Sequence, residues 1–245
     1  GSGDSGSDAG SDLADKPVLA SDLAVLHARA SLAVAADLDA AALETRDRLI
    51  EDQRRAIAAL MSALEKSGGA GVLIEKGGNP DLRANAVRDN GAEGLLVRGG
   101  GGRLSANSFA RNGAAGVALL DGATTQLRSN QIEESGGPGV RVEGTAEALL
   151  VENEVSGGAD AGVVLGDGAD PLLERNQIHR NAAQGVRAAA GAKGRLLRNV
   201  IEHNGAEGVL SEVGAAPTLG ENFVRHNDGD AGGFEDGAVI DDDAK

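Results

Sequence analysis

Residues 139–161 read GVRVEGTAEALLVENEVSGGADA, and residues 162–184 repeat the pattern as GVVLGDGADPLLERNQIHRNAAQ. Each stretch opens with a glycine and a short apolar segment, and each carries a leucine three positions before an asparagine. The pattern occurs seven times within residues 71–231, at a spacing of 22 or 23 residues. A fixed period of this length is typical of a stack of similar structural units.

One asparagine in every repeat forms an unbroken polar column. Its members are Asn85, Asn107, Asn130, Asn153, Asn176, Asn199 and Asn222. Such a column between apolar columns is typical of a turn that points inward, where stacked amides bond one another and satisfy backbone groups. A row of ligand-binding amides is the functional alternative. We favour the structural ladder, because every repeat carries the residue whereas a binding site needs only a few.

A second polar column follows the first by five residues. It consists of Asn90, Asn112, Ser135, Gly158, Asn181, Asn204 and Asn227. Glycine comes directly after three of these asparagines, at Gly91, Gly113 and Gly205. This dipeptide predicts a turn in which the glycine takes a positive φ.

The first apolar segment of each repeat alternates as a strand does, with two inward columns on either side of one outward column. The outward column is Leu73, Leu96, Ala118, Arg141, Val164, Arg187 and Leu210. Five of its seven members are apolar, and an outward apolar stripe is normally covered by another surface. We therefore expect an interaction surface at its large apolar members, Leu73, Leu96, Val164 and Leu210.

Repeats of about 23 residues, with short strands rich in valine and leucine, predict an all-β parallel solenoid of about seven coils at residues 71–231. The pattern G-V-x-[LIV], then L-x-x-N-x-[IV]-x-x-N, resembles the right-handed parallel β-helix repeats of the carbohydrate-binding and sugar-hydrolase class. Similar repeats occur in periplasmic copper-delivery accessory proteins and in the β-helix domain of some F-box proteins. The resemblance implies a fold that lyases, hydrolases, epimerases and non-catalytic adaptors share.

The regions outside the repeats differ in composition. Residues 1–20 are rich in glycine, serine and aspartate and predict a flexible lead, and residues 232–245 predict an acidic tail. Residues 21–67 predict an α-helical extension or cap. Its apolar stripe recurs every seven residues, at Leu43, Ile50, Ile57 and Leu64. The chain starts with glycine, so we expect a processed or replaced N terminus; the localisation stays open, an organellar or exported origin included.

The predicted helix needs an apolar partner surface. Residues 40–66 would make a helix about 40 Å long, close to the roughly 34 Å expected for seven stacked rungs. We expect the helix to cap the first coil or to dock laterally on the outward column. The alternative is an arm that docks on another subunit.

Composition excludes several classes of function. The net charge of −15 divides into about −5 for residues 1–70, −4 for the repeats and −6 from Asp228 onward, which argues against nucleic-acid binding. Three phenylalanines, with no tyrosine or tryptophan, leave little to stack on sugar rings. The lack of cysteine excludes disulfides and thiolate metal sites. No stretch is apolar enough to predict a membrane span.

The columns contain no compact trio of carboxylates. Glu133 and Glu202 share a column but are three repeats apart. His203 and His226 are equivalent residues of adjacent repeats, so stacked imidazoles holding a metal ion are an alternative. We favour a pair of surface histidines, and we expect no cofactor.

These observations favour a non-enzymatic scaffold or protein–protein interaction subunit with other protein subunits as partners. A polysaccharide-binding or polysaccharide-active β-helix protein is the first alternative, and a metal-delivery accessory protein is the second. Carboxylates clustered in a lateral groove would indicate the enzyme. An apolar outer face occupied by a helix or a partner would indicate the scaffold.

Overall fold

The computed structural model describes residues 18–19, 48–50, 65–229 and 239–240. These residues contain 23 strands, numbered here in chain order, which form three parallel sheets. Among the described helical residues, none belongs to a helix long and apolar enough to cross a membrane.

Sheets A, B and C each run along the whole stack. Sheet A contains β1 (Val18–Leu19), β2 (Val72–Ile74), β5 (Leu95–Arg98), β8 (Val117–Leu120), β11 (Val140–Val142), β14 (Val163–Leu165), β17 (Val186–Ala188) and β20 (Val209–Ser211). Sheet C contains β3 (Asp81–Arg83), β6 (Arg103–Ser105), β9 (Gln126–Arg128), β12 (Leu149–Val151), β15 (Leu172–Glu174), β18 (Arg195–Leu197) and β21 (Thr218–Gly220). Sheet B contains β4 (Ala86–Arg88), β7 (Ser108–Ala110), β10 (Gln131–Glu133), β13 (Glu154–Ser156), β16 (Gln177–His179), β19 (Val200–Glu202), β22 (Phe223–Arg225) and β23 (Val239–Ile240).

Each coil takes one strand from sheet A, one from sheet C and one from sheet B, in that order. Coil 1 runs from β2 to β4, and coil 7 runs from β20 to β22. Equivalent residues stack in register, so that Val140 lies between Val117 and Val163. The predicted parallel solenoid of about seven coils is confirmed.

A single apolar column fills the inside of the stack. In sheet A the first and third residues of each strand point inward, whereas in sheets B and C the central residue does. Leu127, Leu150 and Leu173 stack on one another in this column and are almost fully buried. Sheets B and C therefore present two outward residues per strand, and sheet A presents one.

The first asparagine column forms a continuous ladder. Each side-chain Nδ2 donates to the Oδ1 of the asparagine in the next coil at 2.9–3.0 Å, from Asn85 to Asn222. From Asn107 onward, Nδ2 also donates to a leucine carbonyl of the preceding coil, as Asn153 does to Leu127. All the amides point the same way, with Oδ1 toward coil 1 and one N–H toward coil 7.

The second ladder is interrupted in the middle of the stack. Asn90 donates to Asn112 at 2.9 Å in coils 1 and 2, and Asn181, Asn204 and Asn227 form a second run in coils 5 to 7. Between them, the Ser135 hydroxyl is buried without a hydrogen-bond partner in the described part of the chain. Gly158 contributes only its backbone N–H, which donates to Asn181 Oδ1.

The turn prediction for the second column is wrong. Gly91, Gly113 and Gly205 do not have positive φ; the residue before the asparagine does, as at Asp89 (58°) and His203 (56°). The glycine is needed for a different reason: a Cβ at Gly91 would lie 2.5 Å from the carbonyl oxygen of Gly68 in the coil below. A left-handed residue also precedes every asparagine of the first ladder, with φ of 51–56° and no glycine among them.

The extension, lead and tail fall mainly outside the described residues. Of the predicted helical region, residues 48–50 are helical and residues 65–67 enter the stack, while Leu43, Ile57 and Leu64 are not described. Val18 pairs with Val72, and Val239 pairs with Phe223. Each end of the stack therefore carries one further parallel strand.

Candidate functional site

The outer face of sheet B carries two columns of largely polar side chains. One column is Ala86, Ser108, Gln131, Glu154, Gln177, Val200 and Phe223, and the other is Arg88, Ala110, Glu133, Ser156, His179, Glu202 and Arg225. In coils 3 to 6 these columns place three glutamates, two glutamines and a histidine in adjacent positions.

His179 and Glu154 form the central contact of this face. His179 Nε2 lies 3.2 Å from Glu154 Oε1, and the two side chains are 16% and 44% exposed. No second hydrogen bond to the ring occurs within the described residues. A carboxylate that accepts a hydrogen bond from one ring nitrogen fixes the tautomer and leaves the other nitrogen free to take up a proton.

Glu202 and Arg225 form an ion pair in the same column as His179. Arg225 Nε donates to Glu202 Oε2 at 2.7 Å, and its guanidinium lies 4.6 Å from the centre of the Phe223 ring. The hydrogen bond from Arg225 is the main reason that the pKa of Glu202 falls below its ordinary value, with a smaller contribution from the charge of Arg225. Glu202 is next to His179 in the sheet, so the imidazole lies between two carboxylate-bearing coils.

A groove of about 360 Å³ runs beside the His179–Glu154 pair, along the bend between sheets C and B. Its sheet B side is lined by Ser108, Gln131, Glu154 and Gln177, and its centre by three ladder asparagines. The groove extends over coils 2 to 5, which is about 14 Å along the stack. Glu154 therefore belongs both to the groove and to the pair with His179.

The predicted metal candidates, His203 and His226, stack with ring centroids 5.3 Å apart. His203 Nδ1 is 4.0 Å from Glu202 Oε1. Within residues 65–229 and the other described segments, no three histidine, aspartate or glutamate side chains converge as metal ligands. The structure therefore brings the two rings together but adds no third ligand.

The predicted interaction surface on sheet A is largely shielded from solvent. Leu96 is 8% exposed, Ala118 0% and Val164 6%, while Leu73 and Leu210 are half-buried. Leu96 and Ala118 form an apolar cluster with Ala70 and Ala115 that is separate from the interior core.

The His179–Glu154 pair was not predicted from the sequence, because residues of a single column do not reveal it. The two residues lie in different columns of adjacent coils, 25 positions apart. A usable signal exists: Glu154 directly precedes the inward Val155, and His179 directly follows the inward Ile178. Both must point outward, on the same face and one coil apart.

Residues 93–238 match the family model described as the right-handed β-helix region. The chain belongs to this β-helix family. The match covers coils 2 to 7 completely, and it includes the groove and the His179–Glu154 pair. The predicted resemblance to right-handed parallel β-helix repeats is confirmed.

Two solved β-helix structures are similar to this chain. A mutant of the periplasmic alginate epimerase AlgG superposes with a TM-score of 0.62 at 15% identity, over 70% of this chain and 46% of that one. The A-module of the Azotobacter vinelandii mannuronan C-5 epimerase AlgE4 gives 0.50 at 17% identity, over 71% and 64%. This β-helix thus spans less than two thirds of either, and at these identities the likeness shows the fold alone. No match was found among curated proteins.

Proposed function

We propose that this β-helix binds a polysaccharide along the outer face of sheet B and acts on it through His179 and Glu154. The observation that carries the proposal is the 3.2 Å contact between His179 Nε2 and Glu154 Oε1, together with the position of Glu154 in the lining of the groove. The fold-level likeness to two proteins named as alginate epimerases supports the same class of ligand by analogy.

The groove suits an extended polar chain. Gln131 and Gln177 are exposed and offer amide donors and acceptors, and Glu154 lies between them in the sheet. Sugar hydroxyls both donate and accept hydrogen bonds, so this row matches their chemistry. A ligand that runs parallel to the stack meets equivalent positions in successive coils, about 4.8 Å apart. Among the described residues, Phe223 is the one phenylalanine on this face, so hydrogen bonds rather than ring stacking would hold the sugar.

His179 is the proposed proton-transfer group. If Nε2–H donates to Glu154, the lone pair of Nδ1 is free to accept a proton from the sugar. Glu154 orients the ring, as a carboxylate does in other histidine-based sites. Glu202 is held by Arg225 at 2.7 Å, so we assign it to positioning rather than to proton transfer.

The test compares wild type with His179→Gln and Glu154→Gln on a neutral glucan and on a polyuronate. Binding is measured by affinity electrophoresis, and products by nuclear magnetic resonance of the sugar chains. We expect binding to at least one polymer, and activity lower by about 10²- to 10⁴-fold in His179→Gln, the usual contribution of general acid–base catalysis. Glu154→Gln should have a smaller effect, because it keeps a hydrogen-bond acceptor for the ring.

His226→Gln is the matched control, because His226 is an exposed histidine at a turn of the same stack. It should leave both binding and activity unchanged. Absence of binding to every polymer would overturn the proposed ligand class. Activity that is unaffected by His179→Gln would overturn the assignment of the reactive pair.

The second candidate function is the interaction subunit, and the apolar outward column of sheet A favours it. Leu210, in coil 7, is the large apolar member of that column farthest from coil 1. If another subunit docks there, Leu210→Lys should abolish its capture by the purified protein, while His179→Gln should not. Capture that survives Leu210→Lys would exclude this surface.

A further inference from the structure

The outer face of sheet A is more deeply buried than the outer faces of the other two sheets, where most outward residues are half-buried or exposed. Leu96 and Val164 point outward and are 8% and 6% exposed, whereas Gln131 on sheet B and Gln126 on sheet C are exposed. In coils 1 to 7, three of the seven outward residues of sheet A are buried, against Ala110 alone on sheet B and Val151 alone on sheet C.

The two arginines of the outward column also indicate that the outer face of sheet A is covered. The Nε atoms of Arg141 and Arg187 are buried and have no hydrogen-bond partner within the described residues. Their terminal nitrogens nevertheless approach carboxylates, at 3.2 Å from Glu93 and 3.8 Å from Asp160. Buried stems with charged heads at the edge are what long cationic side chains adopt beneath an apolar cover.

Both ends of the intervening N-terminal segment lie at the coil 1 end of the stack. Val18 and Leu19 pair with β2, and Glu65 forms a parallel bridge to Arg88 of β4 and an ion pair with it at 2.6 Å. Residues 19 and 65, which flank this segment, are therefore both held at the coil 1 end of the stack. As helix, residues 40–64 would extend about 37 Å, enough to reach coil 7.

The spacing of the apolar stripe matches the spacing of the coils. Seven helical residues rise about 10.5 Å, and two coils rise about 9.6 Å, so a helix inclined by roughly 24° keeps the stripe over every second coil. Coils 1, 3, 5 and 7 carry the outward residues Leu73, Ala118, Val164 and Leu210, and the arginines lie in coils 4 and 6. The stripe therefore meets only apolar residues.

We infer that residues 40–64 form a helix that runs along the outer face of sheet A toward coil 1. The register that sets Ile57 over Ala118 also sets Ile50 over Val164 and Leu43 over Leu210. Residues 48–50 are helical, with Arg48 exposed and Ile50 half-buried, as this orientation requires. The inference is independent of the polysaccharide proposal. It competes with the second candidate function, because it makes the cover of sheet A part of the same chain rather than a partner.

Cysteine cross-linking tests this placement, because the chain contains no cysteine of its own. Ile50→Cys combined with Val164→Cys in the full chain should form a disulfide within the monomer under mild oxidation. The expected result is a faster-migrating band on a non-reducing gel that contains most of the protein. Arg48→Cys with Val164→Cys is the matched control, because Arg48 is exposed, and it should stay uncross-linked.

A second pair, Ile57→Cys with Ala118→Cys, tests the same register two coils away and decides the matter if the first variant does not fold. Cross-linking of either folded pair within the monomer supports the inference. Disulfide-linked dimers would overturn it in favour of a second copy on sheet A. Folded variants that do not cross-link would overturn it as well.

Discussion

Asn153 makes four side-chain hydrogen bonds in the middle of the first ladder. Its Nδ2 donates to Asn176 Oδ1 and to the Leu127 carbonyl, and its Oδ1 accepts from both the backbone N–H and the Nδ2 of Asn130. Asn153→Ala would leave the backbone N–H and the Nδ2 of Asn130 without this acceptor, and the Leu127 carbonyl without this donor. Each such group costs about 1–3 kcal/mol, so we expect the free energy of unfolding in urea to fall by at least about 2 kcal/mol.

Glu147→Ala provides the control for this prediction. Glu147 is exposed and makes no ion pair among the described residues, so the change should stay under about 0.5 kcal/mol. Glu152 is less suitable, because it pairs with Arg175 at 3.2 Å. Equal urea midpoints for Asn153→Ala and wild type would show that the ladder does not stabilise the stack.

Ala106 holds a left-handed conformation that its side chain disfavours. Its φ is 53°, and it is exposed at the corner before Asn107. Left-handed backbone costs a residue with a Cβ about 1–2 kcal/mol, and glycine removes that cost but adds freedom to the unfolded chain. We expect Ala106→Gly to raise the free energy of unfolding by up to about 1 kcal/mol.

Ala86→Gly is the counterpart in a strand with ordinary backbone angles. It should lower the free energy of unfolding by about 0.5–1 kcal/mol. If both glycine variants are destabilised alike, the left-handed corner carries no strain.

Of these two residue-scale features, only the ladder was predictable from the sequence. The ladder is visible in the sequence because it requires the same side chain, asparagine, at the same position of every coil. The left-handed position before it is filled by alanine, serine, glutamate and arginine, and these residues share no side-chain property. The stack imposes the left-handed conformation at this position. The residue types found there have no common conformational preference from which it could be predicted.

At the scale of the strands, the Glu202–Arg225 pair joins β19 to β22 and makes the stability of the stack depend on pH. The pKa of Glu202 is lowered in the folded protein, so its stabilising contribution is present above the unfolded pKa of about 4.3. The contribution is lost as the pH falls through the lower folded pKa. We expect Glu202→Gln to be less stable than wild type at pH 7, and the difference to disappear on acidification below about pH 4.

Urea midpoints measured across this pH range check the prediction. Glu212→Gln is the control, because Glu212 is exposed and makes no ion pair within the described part of the chain. Its difference from wild type should stay near zero at every pH. A Glu202→Gln deficit that persists at low pH would mean that the side chain acts through packing rather than charge.

The sequence predicts the inward side chains of the strands better than the contacts between their outward side chains. The inward columns follow from alternation, since each inward position is apolar in nearly every coil. The outer pairs depend on two neighbouring columns and on which side chain leans toward the next coil, as His179 leans toward Glu154. The sequence of a single repeat therefore does not predict which outward side chains of adjacent coils will contact each other.

For the whole molecule, the register between coils predicts that the stack tolerates an additional complete coil. A second copy of residues 140–162 inserted after Gly162 would extend every column by one position. In repeat proteins, stability is approximately the sum of the units and their interfaces. We expect the free energy of unfolding in urea to be unchanged or higher, and the slope of the transition to increase with the additional buried surface.

A second copy of residues 140–151 is the matched control for this insertion. It supplies strands for sheets A and C without one for sheet B, so the following coil cannot close. We expect the cooperative transition to be lost. A full-coil insertion that unfolds as readily as the half-coil insertion would show that the columns are not independent units.

The number of coils and their limits could be predicted because the same residue pattern recurs every 22 or 23 positions in the sequence. The position of residues 40–64 could not, since the stripe at Leu43, Ile50 and Ile57 suits a cap, a lateral helix or another subunit equally. What narrows the choice is burial on sheet A and the anchoring of Val18 and Glu65 at the coil 1 end. Both observations are properties of the folded structure and cannot be obtained from the sequence.

The common orientation of the ladder amides gives the two ends of the stack opposite electrical character. Seven amide dipoles aligned along one axis add together, as peptide dipoles do in a helix. The coil 7 end, where Asn222 Nδ2 donates only to Leu196 within the described residues, is the positive pole. The chain continues from that pole into a segment of about −6 net charge. The asparagine ladder therefore has a direction. A further coil can extend it only if its asparagine amide has the same orientation.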